Sequence, residues 1–231
     1  SAATGARSVT ATVGGLASAP ASLFTVMGLP AISALTPSGG RAGIGVTVSG
    51  ANFSTTAKVK VDGVQVTTTW IASSLLSFTT PAHADGPAAI TVVSSGVETS
   101  AATFSYDTTA PTLSLAQGAS QADPTKSTAI TFTLSSNEAL DATTVAAADF
   151  TATNGTIGTI TCSGTTCAIP VTPTGQGAVS LAKAAGFSVT DLAGNATTTV
   201  TVGDASVTYD SIAPSFTFQQ ATGQADPART T

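Results

Sequence analysis

The chain has 231 residues, enough for two domains of ordinary size. Seven Lys and Arg against 12 Asp and Glu give a net charge of −5, so no basic surface can form to hold a phosphate backbone, and nucleic acid is excluded as a partner. Hydrophobic residues are 42% of the chain and charged residues only 8%, which argues against disorder, and no apolar run approaches the ~20 residues that a membrane helix requires. No secretory leader is visible, as expected of a piece cut from mid-chain.

Thr and Val are abundant, and a branched β-carbon favours the pleated surface of a strand. Residues 1–28 read as the end of a domain that begins earlier. Ser8-Val-Thr-Ala-Thr-Val13 alternates, Gly14-Gly15 turns, and Ala21-Ser-Leu-Phe-Thr-Val26 alternates again, the pattern of a hairpin. The next unit, residues 29–106, offers strands at Gly45–Ser49, Lys58–Asp62, Val64–Thr67 and Leu75–Phe78, and closes with a hairpin from Ala89–Val93 to Ala102–Tyr106. Residues 107–210 form a third unit, with a strand at 130–135, another ending at 187–190, and a closing hairpin expected from Thr198–Val202 to Ala205–Tyr209. Short strands separated by regular turn signals suggest sandwiches, so the fold class is all-β.

The chain repeats itself. Tyr106-Asp-Thr-Thr-Ala-Pro111, Gln117 and Gln121-Ala-Asp-Pro124 return as Tyr209-Asp-Ser-Ile-Ala-Pro214, Gln220 and Gln224-Ala-Asp-Pro227, at a constant offset of 103 residues. A fixed period of that size marks a tandem array, with residues 211–231 opening a further copy. Asp-x-x-Ala-Pro fixes φ at the proline and biases the residue before it to an extended conformation, so the chain is expected to pass between domains with little slack.

Two stretches resemble known families. Ile32-Ser-Ala-Leu-Thr-Pro-Ser-Gly-Gly40, Val46-Thr-Val-Ser-Gly-Ala-Asn-Phe53, Val61-Asp-Gly-Val64, Ser77-Phe-Thr-Thr-Pro81 and Ala102-Thr-Phe-Ser-Tyr106 make residues 29–106 similar to the IPT/TIG family of immunoglobulin-like domains. Asp107-Thr-Thr-Ala-Pro111, Ile130-Thr-Phe-Thr-Leu-Ser135 with Asn137-Glu138, Asp149–Gly155 and Val189-Thr-Asp-Leu-Ala-Gly-Asn195 make residues 107–210 resemble the bacterial immunoglobulin-like repeats of large surface adhesins. The resemblance implies tandem immunoglobulin-like β-sandwiches used as spacer or interaction modules at the bacterial cell surface.

Cys162-Ser-Gly-Thr-Thr-Cys167 lies between two strand-like runs, where the cysteines would face each other across a short hairpin. A disulfide there would place the protein in an oxidising compartment; two free thiols in a reducing one are the alternative, and zinc lacks partner ligands. The repeats it resembles usually lack such a bridge, which makes it a local addition.

Catalytic signals are weak. His83, the one histidine, sits in Pro81-Ala-His-Ala-Asp-Gly86 and reads as a solvated turn residue. Gly40-Arg-Ala-Gly-Ile-Gly45 lacks the following helix that a phosphate loop needs. Trp70 reads as partly buried rather than as a sugar platform, and the glycosylation patterns at Asn52, Asn154 and Asn195 as chance matches in a Thr-rich chain. Calcium is the sharper expectation. In an immunoglobulin-like sandwich the chain start, the B–C loop and the F–G loop share a pole, which here would gather Asp107, Glu138, Asp141, Asp191 and Asn195. Calcium takes six to eight oxygen ligands of these kinds. The alternative is that these residues cap turns. Asp123 is expected at the opposite end, near Asp210.

The expected role is a non-enzymatic stalk or spacer segment of a large bacterial adhesin or surface fibre, extracellular, with neighbouring domains of the same chain as partners and any receptor contact elsewhere in the parent. The alternatives are an accessory module of a secreted polysaccharide-active enzyme, or a self-assembling surface filament subunit that adds strands edge to edge.

Overall fold

Alternating apolar and hydroxyl-bearing residues fold here into short antiparallel strands, because each strand must bury one face and can leave the other in water. The structure is a computed structural model that describes residues 4–224. Two compact units are present: the first comprises Ser1–Thr112, Ser136–Val145 and Ser188–Thr199, the second Leu113–Ser135, Ala146–Phe187 and Val200–Thr231. The helical elements among the described residues are two single 3-10 turns, Ala142–Thr144 and Ala147–Asp149. Among the described residues, no helix is long and apolar enough to cross a membrane.

In the first unit, one sheet runs in the order Thr68–Ala72, Leu75–Thr79, Gly45–Ala51, Ala31–Thr36, all antiparallel. The other runs Gly39–Gly40, Ala102–Tyr106, Gly86–Ser94, Lys58–Val61, Val64–Gln65, and Val97–Glu98 also pairs with Gly86–Ser94. Val46, Val48, Val59, Leu76, Ile90, Val92 and Phe104 form the core between them. The strand at Thr68–Ala72 escapes the sequence reading because Thr68-Thr69-Trp70-Ile71 does not alternate, and its pairing with Leu75–Thr79 shifts register after Trp70. The Lys58–Val61 and Val64–Gln65 strands join through Asp62-Gly63, both at positive φ (48° and 80°), the hairpin turn whose twist matches its strands. The expected N-terminal hairpin is present: Gly5–Val9 pairs with Ala21–Val26, and Thr12–Val13 with Leu16–Ala17 around Gly14-Gly15.

In the second unit, one sheet runs Gly155–Ile157, Thr166–Pro173, Ile130–Ser136, Leu113–Gln117, Thr201–Val202, and a three-stranded sheet runs Phe150–Thr153, Gly177–Lys183, Ser206–Tyr209. Leu115, Ile130, Phe132, Leu134, Ile169, Val179 and Val207 are fully buried, and Phe150 meets Phe187 edge to face. The closing hairpin expected from Thr198–Val202 to Ala205–Tyr209 does not form. Thr201–Val202 pairs parallel with Leu113–Gln117, whereas Ser206–Tyr209 pairs antiparallel with Gly177–Lys183. The intervening backbone explains this: Gly203 N donates to Leu115 O, and Asp204 O accepts from Gln117 N, so the turn is spent on the neighbouring strand and the chain changes sheets.

The repeated motif has a local purpose. Asp123 accepts from Thr208 N at 2.8 Å, Thr125 N donates to Thr208 O, and Asp210 N donates to Thr125 O. The stretch Asp123–Thr125 and the stretch Thr208–Asp210 therefore hold each other, and both lie in one unit, where Asp210 was expected to belong to the following one. In the following copy, residues 225–231, including Ala225-Asp-Pro227 of the motif, lie outside the described residues. Phe216 and Phe218, 103 residues beyond buried Leu113 and Leu115, are 76% and 97% exposed in a segment without strand structure.

Candidate metal centre

The carboxylates of Asp107, Glu138 and Asp191 all lie within 4.8 Å of one another, inside the first unit. Each reaches this place by a different local device. Asp107 follows the Ala102–Tyr106 strand; its amide donates to Gly40 O and its carboxylate accepts from Thr109 N at 3.1 Å. Glu138 sits after the Ile130–Ser136 strand, its amide held by Ser136 Oγ. Beside it, Asn137 Oδ1 accepts from Thr112 N at 2.7 Å. Asp191 follows the short Val189–Thr190 strand and is only 2% exposed. Its two oxygens accept from Asn195 N (2.8 Å) and Asn195 Nδ2 (2.9 Å), a tight loop closed through Gly194 at φ 88°.

Three of the five residues expected from sequence, Asp107, Glu138 and Asp191, thus bring a carboxylate oxygen each to one place. Asn195 is adjacent but turns its amide inward: Nδ2 also donates to the Asp107 carbonyl at 3.0 Å and so ties two of the acids together. Asp141 does not join them. Its Oδ1 caps the Ala142–Thr144 turn by accepting from Thr143 N and Thr143 Oγ1, and those two bonds lower its pKa.

The electrostatics of the trio are unbalanced. Burial, followed by the negative charges of Asp107 and Asp191, pushes the Glu138 carboxyl above its ordinary range. Glu138 Oε1 is buried and has no hydrogen-bond partner. A buried acceptor left unpaired among like charges is costly, and a divalent cation would both offset most of the negative charge and satisfy that oxygen. The donor set is all oxygen, which suits calcium rather than a thiophilic or imidazole-bound metal. Asp107, Glu138 and Asp191 would hold the ion.

Sequence reasoning gave Asp85 no role. It accepts from Thr108 N, from Thr108 Oγ1 at 2.6 Å and from Thr109 Oγ1 at 2.7 Å, and its charge also acts on Glu138. Nothing local to Asp85 announces a partner 23 residues away. His83 is likewise not the solvated turn residue expected: it pairs with Asp62 at 2.9 Å and stacks on Tyr106. Trp70 is 38% exposed and donates Nε1 to Phe53 O. The amide nitrogens of Asn52, Asn154 and Asn195 each donate to a backbone carbonyl. Cys162 and Cys167 form a disulfide at a directly paired cross-strand position.

The IPT/TIG domain model matches residues 30–109, and the bacterial Ig-like domain model matches residues 107–222, about half of the chain. No curated protein matches it. Solved structures with similar regions include gamma-CGTase from Alkalophilic bacillus clarkii (18% identity, TM-score 0.34, covering 73% of this chain and 24% of that one). They also include SGBP-B of the Bacteroides ovatus mixed-linkage glucan utilization locus, in complex with a mixed-linkage heptasaccharide (16%, TM-score 0.28, covering 71% and 44%). A third is the I9–I11 tandem from titin (12%, TM-score 0.32, covering 87% and 74%). The chain therefore spans about a quarter of the first and less than half of the second. Likenesses this distant carry no argument about function.

Proposed function

Because the chain belongs to the bacterial Ig-like domain family, with an IPT/TIG domain ahead of that match, we propose that it is a non-enzymatic spacer segment of a large bacterial cell-surface adhesin or fibre. The observation that carries this reading is the tandem itself. Two families of typically non-catalytic modules follow one another, and the 103-residue repeat then begins again at Asp210. Such an array supplies length, while receptor contact belongs to other parts of the parent. The Cys162–Cys167 disulfide suits an oxidising, extracellular setting.

Calcium is the second part of the proposal. An ion held by Asp107, Glu138 and Asp191 would fasten the chain at Asp107, where the two family matches overlap, to the loops that carry Glu138 and Asp191. Its contribution would be rigidity, because it ties three separate stretches of chain to one point. The spacer reading is tested with an antibody against this segment on source cells and in their medium. A very large polypeptide retained at the cell surface is the expected result. A protein of modest mass free in the medium would overturn it in favour of an enzyme accessory module.

A further inference from the structure

Both ring nitrogens of His83 face acceptors. Nδ1 lies 2.5 Å from the Ala84 carbonyl oxygen and Nε2 lies 2.9 Å from Oδ2 of Asp62. A carbonyl and a carboxylate can only accept, and a neutral imidazole carries one N–H. Both contacts are hydrogen bonds only when the ring holds both protons. The ring is further fixed by stacking on Tyr106, with centroids 4.4 Å apart and planes 20° apart, and Tyr106 is itself 3% exposed. Asp62 is anchored in turn, because its Oδ1 accepts from Ala89 N at 2.7 Å.

Two residues beyond His83, Asp85 grips Thr108 and Thr109 through three hydrogen bonds. One short loop therefore has two working ends: His83 moors it to the Asp62-Gly63 turn and the Ala102–Tyr106 strand, and Asp85 holds the chain that leaves that strand. The titratable groups around His83 are Asp62 from the turn, Tyr106 from the strand and Asp85 on its own loop, and among these the charge that acts on the ring is that of Asp62.

We propose that the loop Pro81–Asp85 is a pH-controlled latch on the segment Asp107–Thr109, shut while His83 is an imidazolium and released when the ring gives up a proton. On release the proton leaves Nε2 for solvent, its lone pair then faces a carboxylate oxygen of Asp62, and that contact opens, so the loop loses its mooring to the turn while Nδ1–H stays on the Ala84 carbonyl within the loop. The bonds to Ala84 and Asp62 raise the His83 pKa above its ordinary 6.5, with desolvation opposing, so the latch is expected to open on the alkaline side of an ordinary histidine. The inference needs neither the calcium nor the spacer reading.

The test is NMR of the labelled protein from about pH 6 to about pH 9, following the imidazole resonances together with amide exchange at Thr108, corrected for its intrinsic base catalysis. Thr108 protection should fall several-fold along the His83 titration curve, while the core amide of Val92, bonded to Thr99 Oγ1, keeps its protection. His83→Phe keeps an aromatic ring but has no N–H, so Thr108 should be weakly protected at every pH; Asp85→Ala should behave the same way. Constant Thr108 protection while the ring titrates would overturn the proposal, as would a ring that titrates at or below 6.5. The wild-type titration decides the matter even if a variant fails to fold.

Discussion

Replacing Glu138 by Gln keeps the shape of the side chain and removes its charge, so its effect on stability should depend on calcium. Without the ion, three carboxylates within 4.8 Å repel one another. At an effective dielectric near 20 each pair costs about 3 kcal/mol, and discounting for the partial exposure of Asp107 and Glu138 leaves about 1–2 kcal/mol that Glu138→Gln would relieve. For a chain of this size that is a rise in Tm of roughly 2–8 °C in chelator. With calcium the wild type gains RT ln(1 + [L]/Kd). At about 5 mM calcium and a Kd of about 0.1–1 mM, the range of extracellular sites, this is roughly 1–2 kcal/mol. The variant should lose most of that gain. Differential scanning calorimetry of both proteins, in chelator and in calcium, reads the four values. A variant that melts below wild type in chelator, or that responds to calcium as strongly as wild type, would refute the reasoning.

Other outcomes follow from the same structure. Reducing Cys162–Cys167 should cost about 2 kcal/mol, because the loop closed is short, and should lower Tm by a few degrees in a melt with and without reductant. Asp123→Ala removes the acceptor for Thr208 N and should cost about 1 kcal/mol in chemical denaturation. The His83–Asp62 pair should stabilise the protein only within a pH window. The His83 pKa is raised, chiefly by the Ala84 carbonyl, so its contribution is present at low pH and lost as pH rises through the raised value. The Asp62 pKa is lowered, chiefly by Ala89 N–H, so its contribution is present above the ordinary 3.8 and lost as pH falls through the lowered value. A plot of Tm against pH should fall less steeply for His83→Ala than for wild type as pH rises from 6.5 through the raised value, and the two should run parallel between 3.8 and 6.5.

The sequence carried the strands whose alternation is clean. Val46 and Val48 point inward and Thr47 does not, and Cys162 and Cys167 meet across their hairpin as their spacing implied. Asp107, Glu138 and Asp191 were legible as a group because an immunoglobulin-like sandwich brings a chain start and two loops to one pole. Partnering was harder to read. A period of two marks Thr201–Val202 and Ser206–Tyr209 as strands but does not say which sheet each joins, and two backbone bonds at Gly203 and Asp204 decide that. Asp141 was read as a ligand because its type fits, yet a Thr two residues on gives an Asp a local partner, and capping won. Asp85 and His83 act on residues more than twenty positions away, and no local pattern encodes that.

Isothermal titration of the wild-type protein with calcium, against magnesium as a control and with Glu138→Gln and Asp107→Asn alongside, tests the Asp107–Glu138–Asp191 site most directly. Saturable calcium binding at a single site, weakened in both variants and not reproduced by magnesium, is the result predicted. No saturable heat, or binding left unchanged in both variants, would contradict the assignment.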